Sequence, residues 1–243
     1  AWPIPDLREG IALRIRARRF DSSRGHVKNM LVELSHVIED GMVTYPGLPG
    51  PLICDFLSHD DSRERYAEGT EFQIGRIDLV SNTGTYVDVP FHRFRDGEDL
   101  ADVGIERLAH LDALVVDASG RHEIGVDIFR DREVEGRAVL VRTGWDRHWR
   151  TETYLSGNPF LTREAAEHLA SRGAVLVGID SLNIDSIVGG ERPVHTTLLG
   201  EGIPIVEHLT GLAALPADGF RFTAAPPRVH GMGTFPVRAF AIL

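Results

Sequence analysis

The chain has 243 residues, 42% of them hydrophobic and 26% charged, with 25 Gly and 13 Pro, which are the proportions of a folded domain and exclude a disordered or collagen-like chain. One cysteine, Cys54, excludes an internal disulfide framework and a Cys-rich zinc site. The net charge of −10 argues against a nucleic-acid partner, whose binding rests on phosphate neutralisation. No apolar run approaches the roughly 20 residues that span a bilayer, and no apolar secretion segment opens the chain, so a cytoplasmic enzyme or binding domain for a small molecule is expected.

Charge divides the chain at residue 29. Arg8, Arg14, Arg16, Arg18, Arg19, Arg24 and Lys28 face only Asp6, Glu9 and Asp21 in the first 29 residues, a surplus of four that leaves −14 for the rest. Leu7, Ile11, Ala12 and Ile15 recur at helical spacing, so Asp6 to Arg19 is expected as an amphipathic helix broken at Gly25. Residues 1–29 are therefore an Arg-rich extension, and 30–243 one domain, since no repeat, Pro-rich linker or low-complexity stretch divides it.

Beyond Met30, short β-rich runs predict strands at Leu31–His36, Ile53–Leu57, Phe72–Val80, Ala113–Asp117, Ala138–Arg142, Ala174–Ile179, Phe220–Ala224 and Val237–Ile242. Thr162 to Ser171 is the clearest helix, with Thr162 as N-cap and Gly173 just past its end. Helices between strands imply crossovers, whereas Phe220 to Ile242 looks like a hairpin, so an α/β fold with a mixed sheet is expected. Cys54, inside an apolar run, is expected to pack rather than to react.

Three segments carry candidate chemistry. Ser81 to His92 follows a strand, and its even positions Asn82, Tyr86, Asp88 and His92 project toward one side if the chain stays extended. The alternative for Asp88 is a turn cap bonded to backbone amides. His195 and Glu207 stand twelve residues apart across a connection broken by Gly200, Gly202 and Pro204, and could return to one point as nitrogen and oxygen ligands of a metal. Gly178 to Asp185 ends a strand in polar residues, where α/β sheets place ligands, although Asp180 also suits a loop cap. Neither a phosphate loop nor a nucleophile elbow is present. Trp145, Trp149, Phe56, Phe91 and Phe94 are candidates for an aromatic pocket or for core.

Taken in order, Glu33-Leu34-Ser35-His36, Tyr45-Pro46-Gly47, Thr83-Gly84-Thr85, Asp88-x-Pro90-x-His92, Arg142-Thr143-Gly144-Trp145, Val177-Gly178-Ile179-Asp180 and His195-x-x-Leu198-Leu199 resemble the cyclase family of metal-dependent hydrolases. The resemblance implies a swivelling β/α/β-type domain, a homodimer or homotetramer, and a zinc or manganese site. The family pattern H-x-G-T-H-x-D-x-P-x-H puts Asn82 and Tyr86 where its first two histidines stand, while Asp88, His92, His195 and Glu207 match. It implies hydrolysis of an amide, formamide or lactam in the manner of an arylformamidase. Asp88, His195 and Glu207 would hold a metal that polarises the carbonyl and acidifies water, and His92 would shuttle the proton. Tyr86 is then a donor to the oxyanion or an oxygen ligand, and Asn82 orients the water. A family member that has lost catalysis and binds a small aromatic or acidic ligand is the other reading, and Asn82 and Tyr86 favour it.

Overall fold

A computed structural model describes residues 30–243; the helix expected at 6–19 and the Arg-rich extension lie outside the described residues. In chain order the elements are β1 (Leu31–Glu33), β2 (Leu52–Leu57), α1 (His59–Arg63), β3 (Ile74–Asp78), β4 (Tyr86–Asp88), β5 (Leu111–Asp117), β6 (Glu123–Ile124), β7 (Ala138–Arg142), β8 (Phe160–Leu161), α2 (Arg163–Ser171), β9 (Leu176–Ile179), α3 (Pro193–Gly200), β10 (Ile205–Glu207), β11 (Asp218–Thr223), β12 (Thr234–Pro236) and β13 (Phe240–Ile242). Nine of the strands form one sheet in the order β1-β13-β11-β5-β7-β9-β10-β4-β12.

The sheet is mixed, as the sequence suggests. Its centre, β5-β7-β9-β10, is parallel, and antiparallel pairs continue it on both flanks. Strand alternation builds two cores. Ala138 and Leu140 of β7 join Ala113, Val115 and Phe222 on one face, whereas Val139 and Val141 join Leu114, Val116, Val177 and Ile205 on the other. Helices α2 and α3 cover the second face through Ala165, Ala166, Leu169, Val194 and Leu198. Helix α2 starts where the sequence places it, because the Thr162 hydroxyl accepts from the Ala165 amide.

Two expectations are corrected. Phe220 to Ile242 is not a hairpin: β11 and β13 are antiparallel neighbours, but β12 between them leaves for the opposite edge and pairs with β4. Cys54 is exposed rather than packed, because β2 and β3 form a separate two-stranded ribbon that leaves Leu52, Phe56, Ile74 and Ile77 open as well. Among the described residues no helix is long and apolar enough to cross a membrane.

Candidate metal centre

Strand register explains how the central pairs meet. On β4, Tyr86 and Asp88 project to the same face because they are two residues apart. Tyr86 lies opposite Glu207 of β10, and Asp88 lies opposite Thr234 of β12. Accordingly, the Tyr86 hydroxyl donates to Glu207 Oε2 at 2.6 Å, and the Thr234 hydroxyl donates to Asp88 Oδ1. The loop before β4 turns through Gly84 at φ +67°, a left-handed conformation that suits glycine. Gly233, just before β12, is equally constrained, since a Cβ there would lie 2.1 Å from the His92 amide nitrogen. That close approach brings Thr234 to Asp88 and to the short 3₁₀ turn Pro90–His92.

His195 comes from α3. Asp185 accepts from the amides of Val194 and His195 at the start of that helix, and from the His195 Nδ1–H at 2.7 Å. The helix cap thus also fixes the imidazole tautomer and aims Nε2 inward. His195 Nε2 stands 3.6 Å from Asp88 Oδ2 and 3.7 Å from Glu207 Oε1. Glu207 Oε1 takes a further bond, at 2.6 Å, from the Ile184 amide. His92 is the outermost member, with its side chain 34% exposed. The one proton of the Thr234 hydroxyl goes to the Asp88 carboxylate, so at 2.7 Å its oxygen accepts from His92 Nδ1–H, and His92 Nε2 is left as a base.

Electrostatically the centre calls for a cation. Burial alone would suppress the charge on His195, but the bond to Asp185 and the nearby carboxylates of Asp88 and Glu207 outweigh it and push the imidazole up to about 10. Burial also works against the Asp88 carboxylate, yet its histidine neighbours His92 and His195 and the Thr234 hydroxyl hold it below its ordinary value. Glu207, enclosed beside Asp88, is pushed up to about 7, chiefly by burial. Burial, reinforced by both carboxylates, drives the Tyr86 phenol well above its ordinary value, so it stays a neutral donor rather than a phenolate. Asp88 Oδ2 is buried without any hydrogen-bond partner. An orphaned carboxylate oxygen facing an inward imidazole nitrogen is the expected state of a ligand set described without its ion. The spacings of 3.6 and 3.7 Å are near the roughly 3.4 Å that separates donors around an ion with bonds of about 2.1 Å. Atoms of Asp88, His92 and His195 also lie within 4.8 Å of one another. The residues present therefore fit a divalent metal.

A cavity of about 330 Å³ opens onto this centre, with Tyr45, Leu48, Asn82, Asn183, His92 and Glu207 among its lining residues. All six candidate residues from the sequence converge here, with Asp88 beneath the floor. Asp88 is bonded by Thr234, not by the backbone amides of the turn-cap alternative. Asp180 is the loop cap, accepting from Thr143 N, Thr143 Oγ1 and Gly144 N. None of the five aromatic candidates lines the cavity; its phenol rings are Tyr45 and Tyr86. Trp149 instead stacks on His36 behind the site, at 3.9 Å between ring centroids, and packs against Tyr154 and His208. Burial pushes His36 down to about 4 and His208 down to about 3, and the Nε2 of each is enclosed without a partner. Thr234 carries no sequence signal, whereas Asp185 stands out only once His195 is known to begin a helix.

A mixed sheet curled around an acidic, histidine-bearing centre defines a hydrolase-type fold of the cyclase class. The family model named Cyclase, described as "Putative cyclase", matches residues 32–186, and the chain belongs to this family. Kynurenine formamidase of Bacillus cytotoxicus is 28% identical over 209 residues, covering 86% of this chain and 95% of that protein. The Geobacillus thermodenitrificans enzyme of the same name is 28% identical over 220 residues, covering 87% and 96%. Isatin hydrolase A of Labrenzia aggregata, solved with benzyl benzoate bound, superposes with a TM-score of 0.76 at 22% identity, covering 88% of this chain and 94% of that one.

Proposed function

We propose that this chain is a metal-dependent amidohydrolase of the arylformamidase type, cleaving the C–N bond of an aryl formamide, amide or lactam. The observation that carries the reading is His195 Nε2 facing both Asp88 Oδ2 at 3.6 Å and Glu207 Oε1 at 3.7 Å, with His92 at the mouth of the same cavity. The kynurenine formamidases and isatin hydrolases among its relatives support the same chemistry. Asp88, His195 and Glu207 would hold zinc or manganese, for which one nitrogen and two carboxylates are suitable donors. When bound, such an ion polarises the substrate carbonyl and acidifies water.

The chain's own groups do the rest. His92 Nε2 takes a proton from the attacking water as its oxygen bonds to the carbonyl carbon, and the same nitrogen returns that proton to the departing amine as the C–N bond breaks. Thr234 holds His92 in the tautomer this requires. Tyr86, kept neutral, holds Glu207 Oε2 with its one proton and would have to turn that proton from the carboxylate to serve the developing oxyanion, and Asn82 orients the water with its amide. The work falls to one domain over residues 30–243, in the reducing cytoplasm that suits an unpaired Cys54. The open apolar faces of the β2–β3 ribbon favour a homodimer or homotetramer, because such a ribbon buries too little to stand alone.

A catalytically lapsed binder is the second reading, favoured by the Tyr86 proton committed to Glu207 Oε2. Elemental analysis of freshly purified protein, followed by formate release from formanilide, separates the two. Near-stoichiometric metal with turnover supports the hydrolase. Metal-free protein that stays inactive after zinc and manganese are supplied overturns it.

A further inference from the structure

Beside α3, and sharing no lining residue with the substrate cavity, a cleft of about 520 Å³ is lined by Arg93, Arg163, Arg192 and Thr196, together with Gly190 and Glu191. Three guanidinium groups share this cleft with one carboxylate, in a protein whose net charge is −10. That carboxylate, on Glu191, is 89% exposed and reaches Arg163 only at 3.8 Å, so it compensates little.

Two of the three cations are held in place. Arg192 spends Nη1 on the carbonyls of Ser186, Gly189 and Glu191, at 3.1, 3.3 and 2.8 Å. Among the described residues its Nε and Nη2 have no partner. Arg93 donates from Nε to Thr196 Oγ1 at 3.1 Å and lies over the Phe94 ring, and among the described residues both its Nη groups are without a hydrogen-bond partner. The Thr196 hydroxyl in turn donates to the Arg192 backbone carbonyl at 2.7 Å, which fixes the oxygen that Arg93 uses. The start of α3 adds nothing here, because its amides at Val194 and His195 already go to Asp185. Gly190 meets no heavy atom within 4 Å of where a Cβ would sit, so the loop leaves the cleft open.

From this we infer that the cleft bounded by Arg93, Arg163 and Arg192 is a binding site for a small doubly charged oxyanion of the phosphate type, separate from the metal centre. Planar guanidinium groups with free N–H edges pair with two oxygens at once, and bracing two of them beforehand lowers the ordering cost of binding. A dianion neutralises the local surplus of two positive charges, which a monocarboxylate leaves half unpaired. The acidic body of the protein disfavours a polyanion at the same place. The inference is independent of the hydrolase reading, since it uses none of the metal-centre residues.

The test is calorimetric titration of the full chain with inorganic phosphate at pH 7.5 and constant ionic strength, before and after treatment with a chelator. The expected result is one saturable site per chain, retained after chelation and at least tenfold weaker for acetate. Arg163→Ala and Arg93→Gln should each weaken phosphate binding about tenfold or more, while Arg121→Ala, which removes a cation paired with Asp127 elsewhere, should not. Heats that never saturate, binding abolished by the chelator, or equal affinity in Arg163→Ala and the parent would each overturn the proposal.

Discussion

His36 offers a measurement of how the rear of the site is held together. Its ring lies flat on Trp149, its Nε2 is enclosed without a partner, and burial, opposed only by the Asp146 charge, pushes its pKa from 6.5 down to about 4. A histidine with a lowered folded-state pKa contributes its full stability above about 6.5. It loses that contribution as pH falls toward the folded value, because the unfolded chain takes up the proton first. At 1.36 kcal/mol per pH unit, the gap between 6.5 and about 4 is worth about 3 kcal/mol, of which about 2 kcal/mol is lost by pH 5. His36→Phe keeps a flat ring against Trp149 and removes the titrating group. Its stability at pH 7 should lie within about 1 kcal/mol of the parent. Its lead over the parent should then grow by about 2 kcal/mol between pH 7 and pH 5, a relative shift in urea midpoint of roughly 0.5–1 M. His208, enclosed in the same cluster, titrates in both proteins, and removing the His36 charge that helps hold it down adds to the variant's lead at low pH. Parallel pH profiles for parent and variant would refute the argument, because they would mean that His36 takes up its proton equally well in the folded and unfolded chain.

Four further outcomes are expected. Changing Asn82 and Tyr86 together to His should raise zinc affinity or stoichiometry by calorimetry, since imidazoles would replace a weak amide donor and a phenol that stays protonated; no gain in a folded double variant would show that these side chains do not face the ion. His92→Ala should lower turnover by roughly 100- to 10,000-fold with metal content intact, whereas loss of metal together with activity would make His92 a ligand. Asp185→Asn should weaken metal binding by roughly 10- to 100-fold, because it slackens both the start of α3 and the His195 imidazole, and an unchanged zinc titration would count against that positioning role. Removing residues 1–29 should leave turnover unchanged, and a large loss in a folded, correctly assembled truncation would place part of the site in that extension.

What could be read from the sequence was local. The α2 helix and its Thr162 cap follow from side chains three residues apart, and β7 at Ala138–Arg142 stands out as an unbroken apolar run buried on both faces. The even-residue parity of Asn82, Tyr86, Asp88 and His92 survives because β4 occupies the middle of that segment. Helix α3 escapes notice because its cap, Asp185, lies eight residues before its first residue, Pro193, across a loop containing two glycines. Cys54 and Phe56 look like core by composition, yet burial depends on what covers a strand, and among the described residues nothing covers this ribbon. Thr234 is invisible for a plainer reason: its partner Asp88 lies 146 residues away, and one threonine among many carries no pattern.

The position of β12 has a temporal consequence. Thr234, the residue that orients both Asp88 and His92, belongs to an edge strand made well after its partner, and it pairs with a strand laid down near residue 87. During synthesis, β4 and β10 can meet while Thr234 is still inside the ribosome, so Asp88 first exists with its carboxylate unsteered. A competent ligand set is therefore acquired only after β12 has been made. Ion loading belongs after β12 has paired with β4, and cleavage between residues 224 and 233 would leave Asp88 and His92 without a covalent tether to their common anchor.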